Sequence, residues 1–155
     1  DNPRLDSLNP AKRMSQTPAG APRLLHSLRL QVRWGDMDAL GHVNNAEYLR
    51  YFEQSRIAWL ESLGFATTGK GTGPILAKIS VTYLKPIVYP SELEVRLYAS
   101  RVGNTSFTLA SEIVNGRDAA ERFTEGEFVT VWVDYEASKS VPIPDRLRAI
   151  LTGAS

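Results

Sequence analysis

The 155-residue sequence predicts an α+β domain in which a five-stranded antiparallel sheet carries one long helix on one face. Two patterns predict it. Bulky residues recur at helical spacing in a single stretch, residues 46–63, and the other long segments alternate apolar with polar residues and are joined by turn sequences. The length is that of one domain, with a core large enough to need no covalent staples.

The first 24 residues are rich in Pro, Ala, Ser, Asn and charge and hold no sustained apolar period. They are expected to form a flexible tail ahead of a domain spanning residues 25–155. Met14-Ser15 offers a natural start, so residues 1–13 are expected to derive from an expression vector. Leu28, Leu30, Val32 and Trp34 then alternate with Ser27, Arg29, Gln31 and Arg33, the period of a half-buried strand. In the helical stretch, Tyr48, Phe52, Trp59 and Leu63 fall on one side and Glu47, Arg50, Gln54 and Glu61 on the other. Leu49, Tyr51 and Leu60 widen the apolar face, which predicts an enclosed helix, and Gly64 supplies its stop.

Four strands are expected after a Gly-rich loop, residues 67–73. Ile75, Ala77, Ile79, Val81 and Tyr83 are assigned to one face, as are Leu93, Val95 and Leu97 in the next strand and Phe107, Leu109 and Ile113 in the third. Residues 85–90, with Pro86 and Pro90, break one pairing; residues 102–104 read as a tight hairpin, and Asn115-Gly116 as a type I′ turn. The last strand, residues 122–134, has Val129, Val131 and Val133 on one face and Phe128 and Trp132 on the other. Apolar on both sides, it belongs in the middle of the sheet or at a subunit interface. Pro142 and Pro144 precede a short helix, residues 145–151.

Composition narrows the function. With 18 basic and 17 acidic residues the net charge is +1, so no excess of charge points to nucleic acid or to an anionic membrane. The absence of cysteine removes disulfides, thiolate nucleophiles and Cys-based zinc sites, and fits a cytoplasmic protein. No apolar run reaches the about 18–20 residues that span a bilayer.

Reactive groups concentrate in residues 36–45, Asp-Met-Asp-Ala-Leu-Gly-His-Val-Asn-Asn, which run into the expected helix start. Unpaired N–H groups and the helix dipole favour developing negative charge there. Asp38 is the catalytic candidate, because the loop can fold its carboxylate back toward Asn45. A carbonyl oxygen held on the Asn45 N–H would be polarised, while ionised Asp38 either attacks the carbon or deprotonates a water that does. Either route is acyl transfer to water. The same residue types also serve as caps and turn formers. Asp36 is the structural candidate, holding loop N–H groups or Arg33; Gly41 permits a positive φ or close substrate approach. Asn44 and Asn45 can cap the helix, and His42 is open between general acid, substrate hydrogen-bonder and packed loop residue.

Other chemistries fare worse. There is no Gly-x-Ser-x-Gly elbow, and His26 and His42 are the only histidines available to a triad. Residues 69–73, Gly-Lys-Gly-Thr-Gly, fall short of a phosphate-binding loop. Asp36, Asp38 and His42 match no standard metal-ligand spacing, so no metal is expected.

Residues 33–48, Arg-Trp-Gly-Asp-Met-Asp-Ala-Leu-Gly-His-Val-Asn-Asn-Ala-Glu-Tyr, followed by Phe52-Glu53 and Arg56, resemble the 4-hydroxybenzoyl-CoA thioesterase branch of the hotdog-fold acyl-CoA thioesterases. The likeness continues through Thr82-Tyr-Leu-Lys-Pro86 and covers residues 25–144. It implies the hotdog fold, an antiparallel sheet wrapped around a central helix, with dimers sharing a continuous sheet, homotetramers built from them, and active sites at the subunit interface. It also implies hydrolysis of an acyl-CoA to a carboxylic acid and free CoA without metal or bound cofactor, CoA being part of the substrate. By resemblance Asp38 is the catalytic carboxylate, the Asn45 N–H holds the thioester oxygen, Gly41 is the loop glycine, and Tyr48 lies beside the acyl pocket. Some members carry an apolar or aromatic run ending in Tyr or His where this chain has Gly-His-Val-Asn-Asn, which assigns His42 and Asn44 to acyl specificity. Lys78, Lys85 and Arg101 are candidate partners for the CoA phosphates. Two alternatives share the fold: a hydratase or dehydratase using His42, and a non-catalytic acyl-CoA-binding module, against which Asp38 argues.

Overall fold

The computed structural model describes residues 22–154, so the expected tail lies outside the described residues up to residue 21. The elements are β1 (Leu24–Gln31), α1 (Asn45–Ser62), β2 (Thr72–Tyr83), β3 (Glu92–Val102), β4 (Ser106–Asn115), β5 (Asp118–Asp134), β6 (Lys139–Ser140) and α2 (Asp145–Thr152). They form one antiparallel sheet in the order β1-β3-β4-β5-β2, with the two-residue β6 paired to β5. This is the predicted α+β arrangement, with β5 in the interior of the sheet and β2 on its edge.

Helix α1 begins where the Asn44 side chain accepts the Ala46 N–H at 2.9 Å and ends at Gly64, whose φ of +81° suits glycine. Its apolar face divides the core. Tyr48, Tyr51 and Phe52 pack with Leu93, Val95, Ile113 and Phe128; Trp59 and Leu60 pack with Leu97, Phe107, Leu109 and Trp132, and α2 closes that second cluster with Leu147 and Leu151. The strict alternation in β3 leaves Leu93, Val95 and Leu97 fully buried beneath the helix. The rings of Phe52 and Phe128 meet at 4.8 Å between centroids, and burying each such side chain contributes at most about 1.5–3 kcal/mol.

Three expectations are corrected. Trp34 does not continue the first strand: β1 ends at Gln31, residues 34–36 wind into a 3₁₀ turn, and Trp34 is 74% exposed. The Asp36 carboxylate causes the turn by accepting the Arg33 N–H at 3.0 Å. In β2 the register shifts between Leu76 and Lys78, where Ala77 bulges. An extra residue reverses the alternation, so Ile75 pairs with Val131 on the outer face while Ile79, Val81 and Tyr83 pair with Phe128, Gly126 and Thr124 on the helix face. Finally, neither Asn115 nor Gly116 takes a positive φ, so the β4–β5 hairpin is not closed by a type I′ turn. The Asn115 side chain instead accepts the Arg117 N–H at 2.8 Å, an Asx turn.

Candidate active site

The loop between β1 and α1 is anchored by Asp36. Only 3% exposed, Asp36 accepts the Tyr51 hydroxyl at 2.7 Å in addition to the Arg33 N–H, and pairs with the Arg33 guanidinium at 3.3 Å. Burial pushes its carboxyl up, but the Arg33 N–H, the Tyr51 hydroxyl and the guanidinium outweigh that and hold it below the usual carboxylate value. Burial, and then Asp36 itself, push the Tyr51 phenol far up, so it stays a neutral donor. The Asn44 N–H donates to the Asp36 carbonyl at 2.9 Å, and the Val43 N–H to the Ile87 carbonyl at 2.8 Å, which ties the loop to the segment after β2. Asp36 is the structural residue of the pair, as expected.

Asp38 is turned the other way. Its N–H donates to the His42 carbonyl and its carbonyl accepts the Gly41 N–H, both at 3.0 Å, a turn so tight that Gly41 takes a φ of +81°. Each carboxylate oxygen has one donor: Leu40 N–H reaches Oδ1 at 2.9 Å and Asn44 Nδ2 reaches Oδ2 at 3.1 Å. Asn44 therefore uses one end of its amide on the helix cap and the other on Asp38. The Asn45 N–H, first in the helix, has no acceptor among the described residues.

Asp38 and Asn45 share a groove of about 520 Å³ with His42, Tyr48, Tyr83 and Lys85. Tyr48 is buried at its wall and accepts the Ile87 N–H on its hydroxyl at 3.1 Å. Tyr83 meets the Tyr48 ring edge-on, 4.9 Å between centroids, and donates its hydroxyl to the Asn45 carbonyl at 2.8 Å. His42 is exposed on the rim. The fold thus brings together Asp38, His42, Asn45 and Tyr48, with Gly41 in the turn behind them and Asn44 beneath. Of the three cations considered for CoA, Lys85 lines the groove, where it pairs with Glu121 at 2.8 Å; Lys78 and Arg101 do not line it. The set of Asp36, Asp38 and His42 is not assembled as a metal site, since Asp36 faces Arg33 and Tyr51. Tyr83 is the residue that sequence reasoning missed: its partner Asn45 lies 38 positions away, and no local pattern links them.

Chemically, the groove offers a carboxylate with two donors beside an unpaired helix N-terminal N–H. A carbonyl bound across them would have its oxygen polarised and its carbon open to attack.

A model of the thioesterase-like superfamily matches residues 32–151. The uncharacterized protein YsmA of Bacillus subtilis is 31% identical over 79% of this chain and 82% of its own. An acyl-CoA thioester hydrolase of Escherichia coli O157:H7, YbgC, is 26% identical over 77% of this chain and 90% of its own. Among solved structures, the PA2801 protein of Pseudomonas aeruginosa, a proposed thioesterase, superposes with a TM-score of 0.80 at 42% identity, covering 82% of this chain and 98% of that one.

Proposed function

The chain belongs to the thioesterase-like superfamily, and from that membership we propose that it hydrolyses an acyl-CoA thioester to a carboxylic acid and free CoA. The observation that carries the reading is the convergence of the Asp38 carboxylate and the unpaired Asn45 N–H on one groove. The thioester oxygen sits on the Asn45 N–H, and the positive end of the α1 dipole stabilises the charge that develops there. Ionised Asp38, with one donor to each oxygen, attacks the carbonyl carbon or takes a proton from a water that attacks. The CoA thiolate then leaves: in the water route it takes the proton from Asp38, and in the nucleophilic route a water hydrolyses the acyl–Asp38 anhydride, releasing the carboxylic acid and restoring the carboxylate. Tyr48 forms the wall beside the acyl group, His42 and Asn44 shape its surroundings, and Gly41 keeps the turn narrow enough for the substrate to approach. No metal or bound cofactor takes part; CoA enters with the substrate.

The enzyme is proposed to work as a dimer, and as a tetramer of paired dimers, with the sheet continued across β2. Support comes from that edge strand, where Ile75, Ile79 and Tyr83 are all more than one-third exposed.

Thiol release from aromatic, short-chain and long-chain acyl-CoAs tests the reading. The wild type is expected to release CoA from at least one class, and Asp38→Asn to bind the same acyl-CoA without releasing thiol. Full hydrolysis by Asp38→Asn would remove the assignment, since the change deletes charge but little volume.

A further inference from the structure

Tyr83 stands outside the chemistry just described, yet a run of hydrogen bonds leads from it to the reactive carboxylate. Its hydroxyl donates to the Asn45 carbonyl at 2.8 Å. The same peptide group carries the Ala46 N–H, which donates to Asn44 Oδ1 at 2.9 Å. The same side-chain amide carries Nδ2, which donates to Asp38 Oδ2 at 3.1 Å. We propose that Tyr83 is a positioning residue for Asp38, acting through the peptide group that joins Asn45 to Ala46 and through the Asn44 side chain. The proposal rests on the reading of Asp38 as the reacting carboxylate.

All three bonds point the same way, toward the carboxylate. An amide that accepts on its oxygen donates more strongly from its nitrogen, so each link strengthens the next by about 10–30%. The arrangement also fixes which way Asn44 faces. Ala46 offers only a donor and Asp38 only acceptors, so the amide oxygen must face the helix and the nitrogen must face the carboxylate. A flipped Asn44 would set oxygen against oxygen at Asp38. Tyr83 suits the head of such a chain because burial pushes its phenol up and keeps it a neutral donor. Its ring has a separate task, packing edge-on against Tyr48, and that contact survives loss of the hydroxyl.

Because Tyr83 ends the edge strand β2, the chain of bonds links the sheet edge to the loop that carries Asp38. Whatever orders that end of β2 therefore also orders the carboxylate.

A double-mutant cycle tests this. Tyr83→Phe deletes the hydroxyl alone, and Asn44→Ser keeps a helix cap while removing the donor to Asp38. Tyr83→Phe is expected to lower kcat about threefold to tenfold with KM and Tm unchanged, the size of one lost hydrogen bond. In the Asn44→Ser background the same change is expected to do nothing further, because the chain is already cut. An unchanged kcat for Tyr83→Phe, an effect on KM alone, or an effect of equal size in both backgrounds overturns the proposal. Asp38→Asn, measured alongside, separates the two failures. If it is inactive and the cycle is additive, only the role of Tyr83 falls; if it is fully active, the reading of Asp38 falls and takes this one with it.

Discussion

The Tyr51 hydroxyl reaches the buried Asp36 carboxylate at 2.7 Å, joining the second turn of α1 to the 3₁₀ turn that follows β1. Two carboxylates one residue apart are thereby divided between tasks: Asp36 is used up in holding the loop, and Asp38 is left facing the groove.

That contact predicts an acid sensitivity. Asp36 titrates below its ordinary value in the fold, so it contributes stability that is fully present above its unfolded value of about 3.9 and is lost as pH falls through the lower folded value. Tyr51→Phe removes one donor to a buried charge, which costs about 1.5–3 kcal/mol at neutral pH. Its acid-unfolding midpoint is expected at higher pH than the wild type's, read by circular dichroism. Coincident acid transitions for the two proteins would contradict it.

His26, in β1, adds a loss of stability on acidification in a higher pH range. It pairs with Leu97 across β1 and β3, its Nε2 is buried without a partner among the described residues, and burial holds its imidazole below the ordinary value. Below about pH 6.5 the unfolded chain takes the proton before the folded one does, so stability falls with pH until the folded value is passed. His26→Leu should therefore lose less Tm than the wild type between pH 7.5 and pH 5.5. A parallel loss in both would show that His26 titrates freely.

His42 is exposed on the groove rim, so its removal tests chemistry separately from folding. His42→Ala is expected to change stability by less than about 0.5 kcal/mol. If His42 shapes the acyl pocket, kcat/KM shifts unequally between aromatic and aliphatic acyl-CoAs. An equal fall for every substrate would instead make it a general acid.

Side-chain period carried most of the fold, because the residues that define α1 and β3 are bulky and face one way. Tyr48, Phe52 and Trp59 can be buried only together, and so can Leu93, Val95 and Leu97. The bulge at Ala77 left no such mark: alanine fits either face, and the apolar residues on both sides of it continue an alternation that the backbone breaks. Trp34 misled for a related reason, since an apolar residue in phase with β1 says nothing of a carboxylate two positions later that ends the strand. In the site, the positive φ at Gly41 and the helix cap at Asn44 were legible from turn and cap chemistry. The contact of Asn44 with Asp38 was not, because a cap and a carboxylate contact need the same residue type and this side chain serves both.

The edge strand offers a test of assembly. Ile79 lies on the helix face of β2 and is 40% exposed, in the middle of the strand proposed to meet a second copy. A charge there opposes edge-to-edge pairing. Ile79→Lys is expected to sediment as a smaller species than the wild type and to lose thiol release with it. A variant that keeps the wild-type mass would move the interface elsewhere on the surface.

Gly126 leaves β5 without a side chain opposite Val81 of β2, and it yields the sharpest stability prediction. A Cβ at this position would lie 2.8 Å from the Ser80 carbonyl oxygen and 3.1 Å from Val81 Cγ2. The nearer atom belongs to the backbone, so no rotamer change relieves the overlap; β2 itself must move away from β5. Overpacking of this kind costs about 1–3 kcal/mol. The strand that must shift ends in Tyr83, whose hydroxyl holds the Asn45 carbonyl. Gly126→Ala is thus expected to lower Tm and, at a temperature where the variant is still fully folded, to lower kcat as well. Tyr83→Phe in that background should then cost less than it does in the wild type. A variant with wild-type Tm would mean that β2 and β5 are spaced more widely than the 2.8 Å contact implies.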